Sequence, residues 1–173
     1  AAFGEGILVD FGDDPWELLE AVPNYRHAVV SFNAAYVGML RGFADLLSWS
    51  EQPAEASAAR ELADKLAGAV VRQYAGDGRW LISMPDHDEA IGHCLDFQHV
   101  AGEMAEDLSP TLKAEMIEFV TTKLLDGDWM VALDPDDPIA PFSDRPDHGA
   151  SGAFAAWPAD TADGLIRLGE RAK

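Results

Sequence analysis

The sequence predicts an all-α fold built from helical hairpins, on three observations. Apolar residues recur at helical spacing through several long stretches. Gly- and Ala-rich helices with little charge alternate with helices that carry one charged face. A short segment, Asp77-Gly78-Arg79-Trp80-Leu81-Ile82-Ser83-Met84, returns 49 residues later as Asp126-Gly127-Asp128-Trp129-Met130-Val131-Ala132-Leu133. Both copies follow a helix-like stretch and precede a Pro-Asp turn, Pro85-Asp86 and Pro135-Asp136. A supersecondary unit that recurs in this way cannot bury its apolar face alone and stacks on its neighbours.

The elements follow in order. Residues 1–27 are Gly- and Asp-rich with short apolar runs and read as a loop. From Ala28 to Trp49, Val29, Val30, Phe32, Tyr36, Val37, Leu40, Phe43, Leu46 and Leu47 recur at helical spacing. With Ala34, Ala35, Gly38, Gly42 and Ala44 between them, this helix is expected to be covered on most sides. Gln52-Pro53 ends it, and Pro53 opens a second helix running to about Tyr74. Glu55, Arg60, Glu61, Asp64, Lys65 and Arg72 give that helix a wet face, so it is an outer one. Residues 88–107 form a second inner helix. Ser109-Pro110 then caps a charged outer helix to about Leu125. After the Pro- and Asp-rich loop 134–148, a third inner helix is expected over 150–173. Residues 1–173 thus form one segment of two and a half helical hairpins. The last helix lacks a partner, and the natural chain is expected to continue past Lys173. The start at Ala1-Ala2-Phe3, without Met, suits trimming or excision from a longer chain.

Composition narrows the functional classes. A 48% apolar chain of 173 residues buries one good core. With 31 acidic against 12 basic residues the net charge is −19. That field repels phosphate backbones, so nucleic acid is not an expected partner. It suits a solvated acidic surface, or adaptation to high salt. No stretch has the length of a membrane span, and no basic region followed by an apolar one opens the chain. The single Cys94 excludes an internal disulfide framework and suits a reducing, cytoplasmic compartment.

Several residue groups carry potential chemistry. Asp13-Asp14-Pro15-Trp16 sets two carboxylates beside an aromatic, as sugar chemistry needs: an acid to protonate a glycosidic oxygen and a flat ring to stack on the sugar. Adjacent Asp residues also cap turns. Glu89, His93, Asp96, His99 and Glu103, spaced four, three, three and four, fall on one face if all lie on a helix. They read as a metal site, an acid–base array, or a polar stripe lining a wet interior. Asp134-Pro135-Asp136-Asp137-Pro138 offers oxygen ligands to calcium but lacks the EF-hand spacing, and a plain acidic loop is favoured. Arg145-Pro146-Asp147-His148-Gly149 mixes a cation, a carboxylate and an imidazole ahead of Trp157-Pro158; an Arg145–Asp147 pair with Trp157 in the core is the simpler reading. Gly4-Glu5-Gly6 lacks the third glycine and the Lys of a phosphate loop, there is no G-x-S-x-G elbow, and Cys94 reads as core. No metal and no cofactor are expected.

Gly12-Asp13-Asp14-Pro15, Val30-Ser31-Phe32-Asn33-Ala34-Ala35-Tyr36 and Gly42-Phe43-Ala44-Asp45-Leu46-Leu47 resemble six-hairpin glycosidases, most closely glycoside hydrolase family 63. The resemblance implies part of an (α/α)6 toroid that hydrolyses α-glycosidic bonds with inversion. Such enzymes pair a carboxylic acid with a carboxylate base about 6.5–9.5 Å apart. By this resemblance Asp13 matches the general acid, with Asp14 its neighbour. Trp16, Asn33, His93, Asp96, Arg145, Asp147, His148 and Trp157 would line the sugar-binding bowl. The chain lacks one residue between the Asp pair and the Pro, has Trp16 where the family has Arg, and carries no match to the family's Glu base. Expected partners are a carbohydrate and either the remainder of a parent chain or a self-association partner through an exposed apolar flank. Two other readings compete. His93 and His148 would serve a sugar epimerase or lyase on the same toroid, and a non-catalytic scaffold or glycan-binding module would bind without turnover.

Overall fold

The computed structural model describes residues 6–14, 19, 22–143, 145 and 149–169. Helix α1 (Val30–Trp49) forms because Val30, Ala34, Val37, Leu40, Ala44 and Leu47 place one apolar stripe against the core. After a three-residue connection, Pro53 starts α2 (Pro53–Val71), where its missing N–H costs nothing. The two helices are antiparallel: Arg41 reaches Asp64, and Asp45 takes Arg60 at 2.8 Å.

The chain then turns to β-structure. Strands β1 (Tyr74–Gly76), β2 (Arg79–Ser83) and β3 (Asp88–Ile91) form an antiparallel sheet in the order β1-β2-β3. Alternation is plain in β2, where Trp80 and Ile82 are buried and Arg79, Leu81 and Ser83 are half-exposed. Helix α3 (Cys94–Met104) runs into a 3-10 turn at Ala105–Asp107. Helix α4 (Pro110–Phe119) is capped by Ser109, whose Oγ accepts from the Leu112 N–H at 3.2 Å, and ends in a π-helical turn, Val120–Leu124. A second hairpin, β4 (Leu125–Asp126) and β5 (Trp129–Met130), follows. A long connection with a 3-10 turn at Ala140–Phe142 leads to α5 (Trp157–Leu168), which ends at Gly169 with φ +98°.

The expected all-α toroid is therefore overturned, and the resemblance to glycoside hydrolase family 63 with it. The fold is mixed α/β, 54% helical and 13% strand, with five α-helices and two small antiparallel sheets among the described residues. The physical reason lies in the repeated D-G-x-W segment. Asp77 and Gly78 both adopt positive φ, +51° and +74°, which is the twist a two-residue hairpin requires. Each copy of the repeat is a β-hairpin, not a link between helices. Likewise the inner helix expected from 88 begins only at Cys94, because Asp88–Ile91 pairs residue for residue with Trp80–Ser83. The third inner helix begins at Trp157, not near 150.

Three helices run parallel. Ser31 of α1 meets Asp96 of α3, and Gly38 meets Glu103 one turn-pair later. Gln98 of α3 meets Thr161 of α5, and Ala101 faces Gly164. The strands set where these helices start. Ala28 and Ser83 exchange backbone hydrogen bonds at 3.2 and 3.1 Å just before α1, and Cys94 N donates to Ala132 O at 2.8 Å at the start of α3. The main core lies between the helices, with Trp80, Phe97, Met104, Met116, Phe119 and Leu124 inside it. A smaller core of Leu19, Val22, Tyr25, Val29, Ile82, Ile91, Leu133 and Ala150 fills the end where the parallel helices begin.

Candidate ligand groove and its buried anchor

A polar cluster sits between the two cores, where α1 and α3 begin. Asp96 is 1% exposed. Its Oδ1 accepts from the Tyr25 hydroxyl at 2.7 Å and from the Ser31 N–H, in the first turn of α1, at 2.9 Å. Oδ2 has no hydrogen-bond partner among the described residues. Burial pushes the Asp96 carboxyl up to about 7, although both donors favour its ionised form. His93 caps α3: its Nδ1 accepts from the Leu95 N–H at 3.1 Å. That bond places the ring proton on Nε2, a buried atom without a partner among the described residues. Burial drives His93 down to about 3, so the ring is neutral. Its ring packs against Tyr25 at 5.7 Å and edge-to-face against Trp157 at 5.5 Å.

Trp157 links this cluster to an open groove of about 440 Å³ between α3 and α5. Phe154 stands beside it at 6.1 Å, edge-to-face and 56% exposed. Gln98, His99 and Glu103 line the α3 side; Asp160, Asp163 and Arg167 line the α5 side. Gln98 is fixed by donating to Thr161 Oγ1 at 2.8 Å and to the Trp157 carbonyl at 2.9 Å. Burial lowers His99, while the carboxylates of Glu103 and Asp160 act in the opposite direction. Asp163 is occupied by the Arg167 guanidinium one turn away. The groove therefore offers two aromatic rings, one imidazole, one amide and two carboxylates that form no ion pair among the described residues.

The sequence-predicted residues scatter. His93, Asp96 and Trp157 come together as the buried anchor, where Trp157 alone also reaches the groove. Asn33 is fully buried and holds the N-terminal segment: its Oδ1 accepts from Val9 N at 2.8 Å, and its Nδ2 donates to Val9 O and Val29 O. Asp13 and Asp14 are exposed and do not line the groove. In that loop Asp10, not Asp13, shapes the turn, by accepting from Gly12 N and pairing His27 at 3.1 Å. Arg145 is half-buried, and its carbonyl accepts from Gly149 N at 2.7 Å. Trp16, Asp147 and His148 lie outside the described residues.

The stripe expected on one helix divides. Glu89 belongs to β3 and accepts from Asn24 Nδ2 at 2.9 Å; His93 and Asp96 point into the protein; His99 and Glu103 line the groove. The acidic loop is occupied internally. Asp137 accepts from Arg79, Gly92 N and Ile139 N, and Asp134 accepts from Asp136 N. Among the described residues no three His, Cys, Asp or Glu side chains are placed to hold a metal ion, and no helix is long and apolar enough to cross a membrane. Sequence reasoning missed Tyr25, Phe154 and Asp160. Asp160 lies one turn after Trp157 on α5, the i, i+3 spacing that would have flagged it, whereas Phe154 precedes the helix. Compared with protein-family models, curated proteins and solved structures, the chain matches none.

Proposed function

We propose that the α3–α5 groove binds a carbohydrate. The observation that carries this reading is the Phe154–Trp157 pair standing over Glu103 and Asp160 in one groove. Flat rings match the apolar C–H face of a sugar, and the carboxylates accept from its hydroxyls. Trp157 is held from behind by His93, and Gln98 by α5, so the binding surface is preorganised and loses little entropy on association.

The test is calorimetric titration of the chain with a panel of neutral oligosaccharides, α-linked glucosides among them. Binding by at least one class is expected. Phe154→Ala, at an exposed position outside the core, should weaken it about tenfold, equivalent to about 1.4 kcal/mol. Asp160→Asn should weaken it by a similar factor. Absence of binding across the panel, or full affinity in both variants, would remove the proposal.

A further inference from the structure

Helix α1 is apolar on the side that faces away from the core as well as on the side that faces it. Phe32, Tyr36, Met39, Phe43 and Leu46 follow one another at intervals of four, three, four and three residues, and Trp49 lies three further on. That is the spacing of a coiled-coil seam. Met39, Phe43, Leu46 and Trp49 are 59%, 52%, 56% and 80% exposed, while Phe32, beside Phe11 and His99, and Tyr36 are half-buried and join the stripe to the cores. A helix with two apolar faces is covered on both.

We infer that the outer face of α1 pairs with the same face of a second copy to form a two-fold dimer. Side chains of this size carry about 150–250 Å² each, so the four exposed ones leave about 500 Å² of apolar surface in water. Two copies bury about 1,000 Å² from these side chains alone, which reaches the threshold for a specific interface. Charge selects the occupant. Arg41 and Asp45 are the only charged residues of α1, and both are committed within the chain, Arg41 to Asp107 and Asp64, Asp45 to Arg60. Two chains of net charge −19 can approach through this seam without opposing like charges. A heptad seam also supplies both the knobs and the holes that its own copy needs.

Sedimentation velocity with light scattering on the 173-residue chain tests this. A monomer–dimer equilibrium is expected between micromolar and millimolar concentration, shifted toward dimer by salt because the net charges repel. Phe43→Glu should weaken association at least about thirtyfold, as loss of a central interface side chain does, with helical circular dichroism and melting of the monomer retained. Ile166→Glu, 61% exposed on α5 and off the seam, should leave the dimer intact. Monomer at every concentration overturns the inference, as does a dimer that withstands Phe43→Glu. Open-ended aggregation also overturns it, because a two-fold seam closes on itself.

Discussion

Asp96 and His93 oppose each other across the folding equilibrium. Asp96 has its pKa raised from the ordinary 3.8 to about 7, so the native state holds its proton more tightly than the unfolded chain does. Its contribution is fully present below about pH 4 and is lost as pH rises toward 7. His93 has its pKa lowered from 6.5 to about 3; its contribution is present above pH 6.5 and is lost as pH falls toward 3. Between these limits the two slopes have opposite signs and largely offset. Removing either group should expose the other. Relative to the parent, Asp96→Asn should lose stability as pH falls from 6.5 to 4, at up to about 1.4 kcal/mol per pH unit, and His93→Asn should lose it as pH rises over the same range. Urea midpoints of both variants across that window check this; two curves parallel to the parent would mean that neither group titrates as its burial implies. The sequence displayed His93 and Asp96 as polar residues on a shared face, but it could not show that the face is dry. Burial depends on Tyr25 and Trp157, which lie 71 residues before Asp96 and 64 residues after His93, respectively.

At the scale of elements, the D-G-x-W repeat shows how one residue of register decides a side chain's fate. In the first hairpin Gly76 pairs with Arg79 around Asp77-Gly78; in the second Asp126 pairs with Trp129 around Gly127-Asp128. The turn is displaced by one residue, and successive strand residues point to opposite faces. Trp80 is therefore 1% exposed and Trp129 58% exposed. The glycines differ in the same way. A Cβ on Gly78 would lie 2.0 Å from Phe119 Cβ, whereas one on Gly127 meets nothing within 4 Å. Both adopt positive φ. Gly127→Ala should cost about 1–2 kcal/mol through backbone strain alone, and Gly78→Ala about 2 kcal/mol more through the displaced Phe119. Equal losses in chemical denaturation would mean that Phe119 yields without cost. The helices were legible from their apolar spacing and their prolines, with α1 and α2 beginning within about two residues of the expected positions. The hairpins were legible too, since Asp77-Gly78 and Gly127-Asp128 are residue pairs that two-residue hairpin turns favour. The recurrence of the segment along the chain reports a repeated unit but not its type, which the turn chemistry inside it sets.

For the whole molecule, a net charge of −19 on one compact body stores self-repulsion that salt relieves. Raising sodium chloride over the first few hundred millimolar should raise the melting temperature by a few degrees. A fall over that range would show that exposed pairs such as Lys123–Asp136 and Arg60–Asp45 outweigh the repulsion. The groove, the anchor and the α1 seam all arise from the parallel arrangement of α1, α3 and α5. By itself the sequence determined the starts of α1, α2 and α4, the acidic composition, the absence of a long apolar span and the small residues that let helices approach, because these follow from local propensity and composition. Only the tertiary structure decided that Asn33 holds a backbone segment, that Asp96 is buried, and that Phe154 and Trp157 share a groove with Glu103. Those outcomes depend on contacts between residues tens of positions apart. Side chains alike in type, such as Trp80 and Trp129, are told apart only by what packs on them.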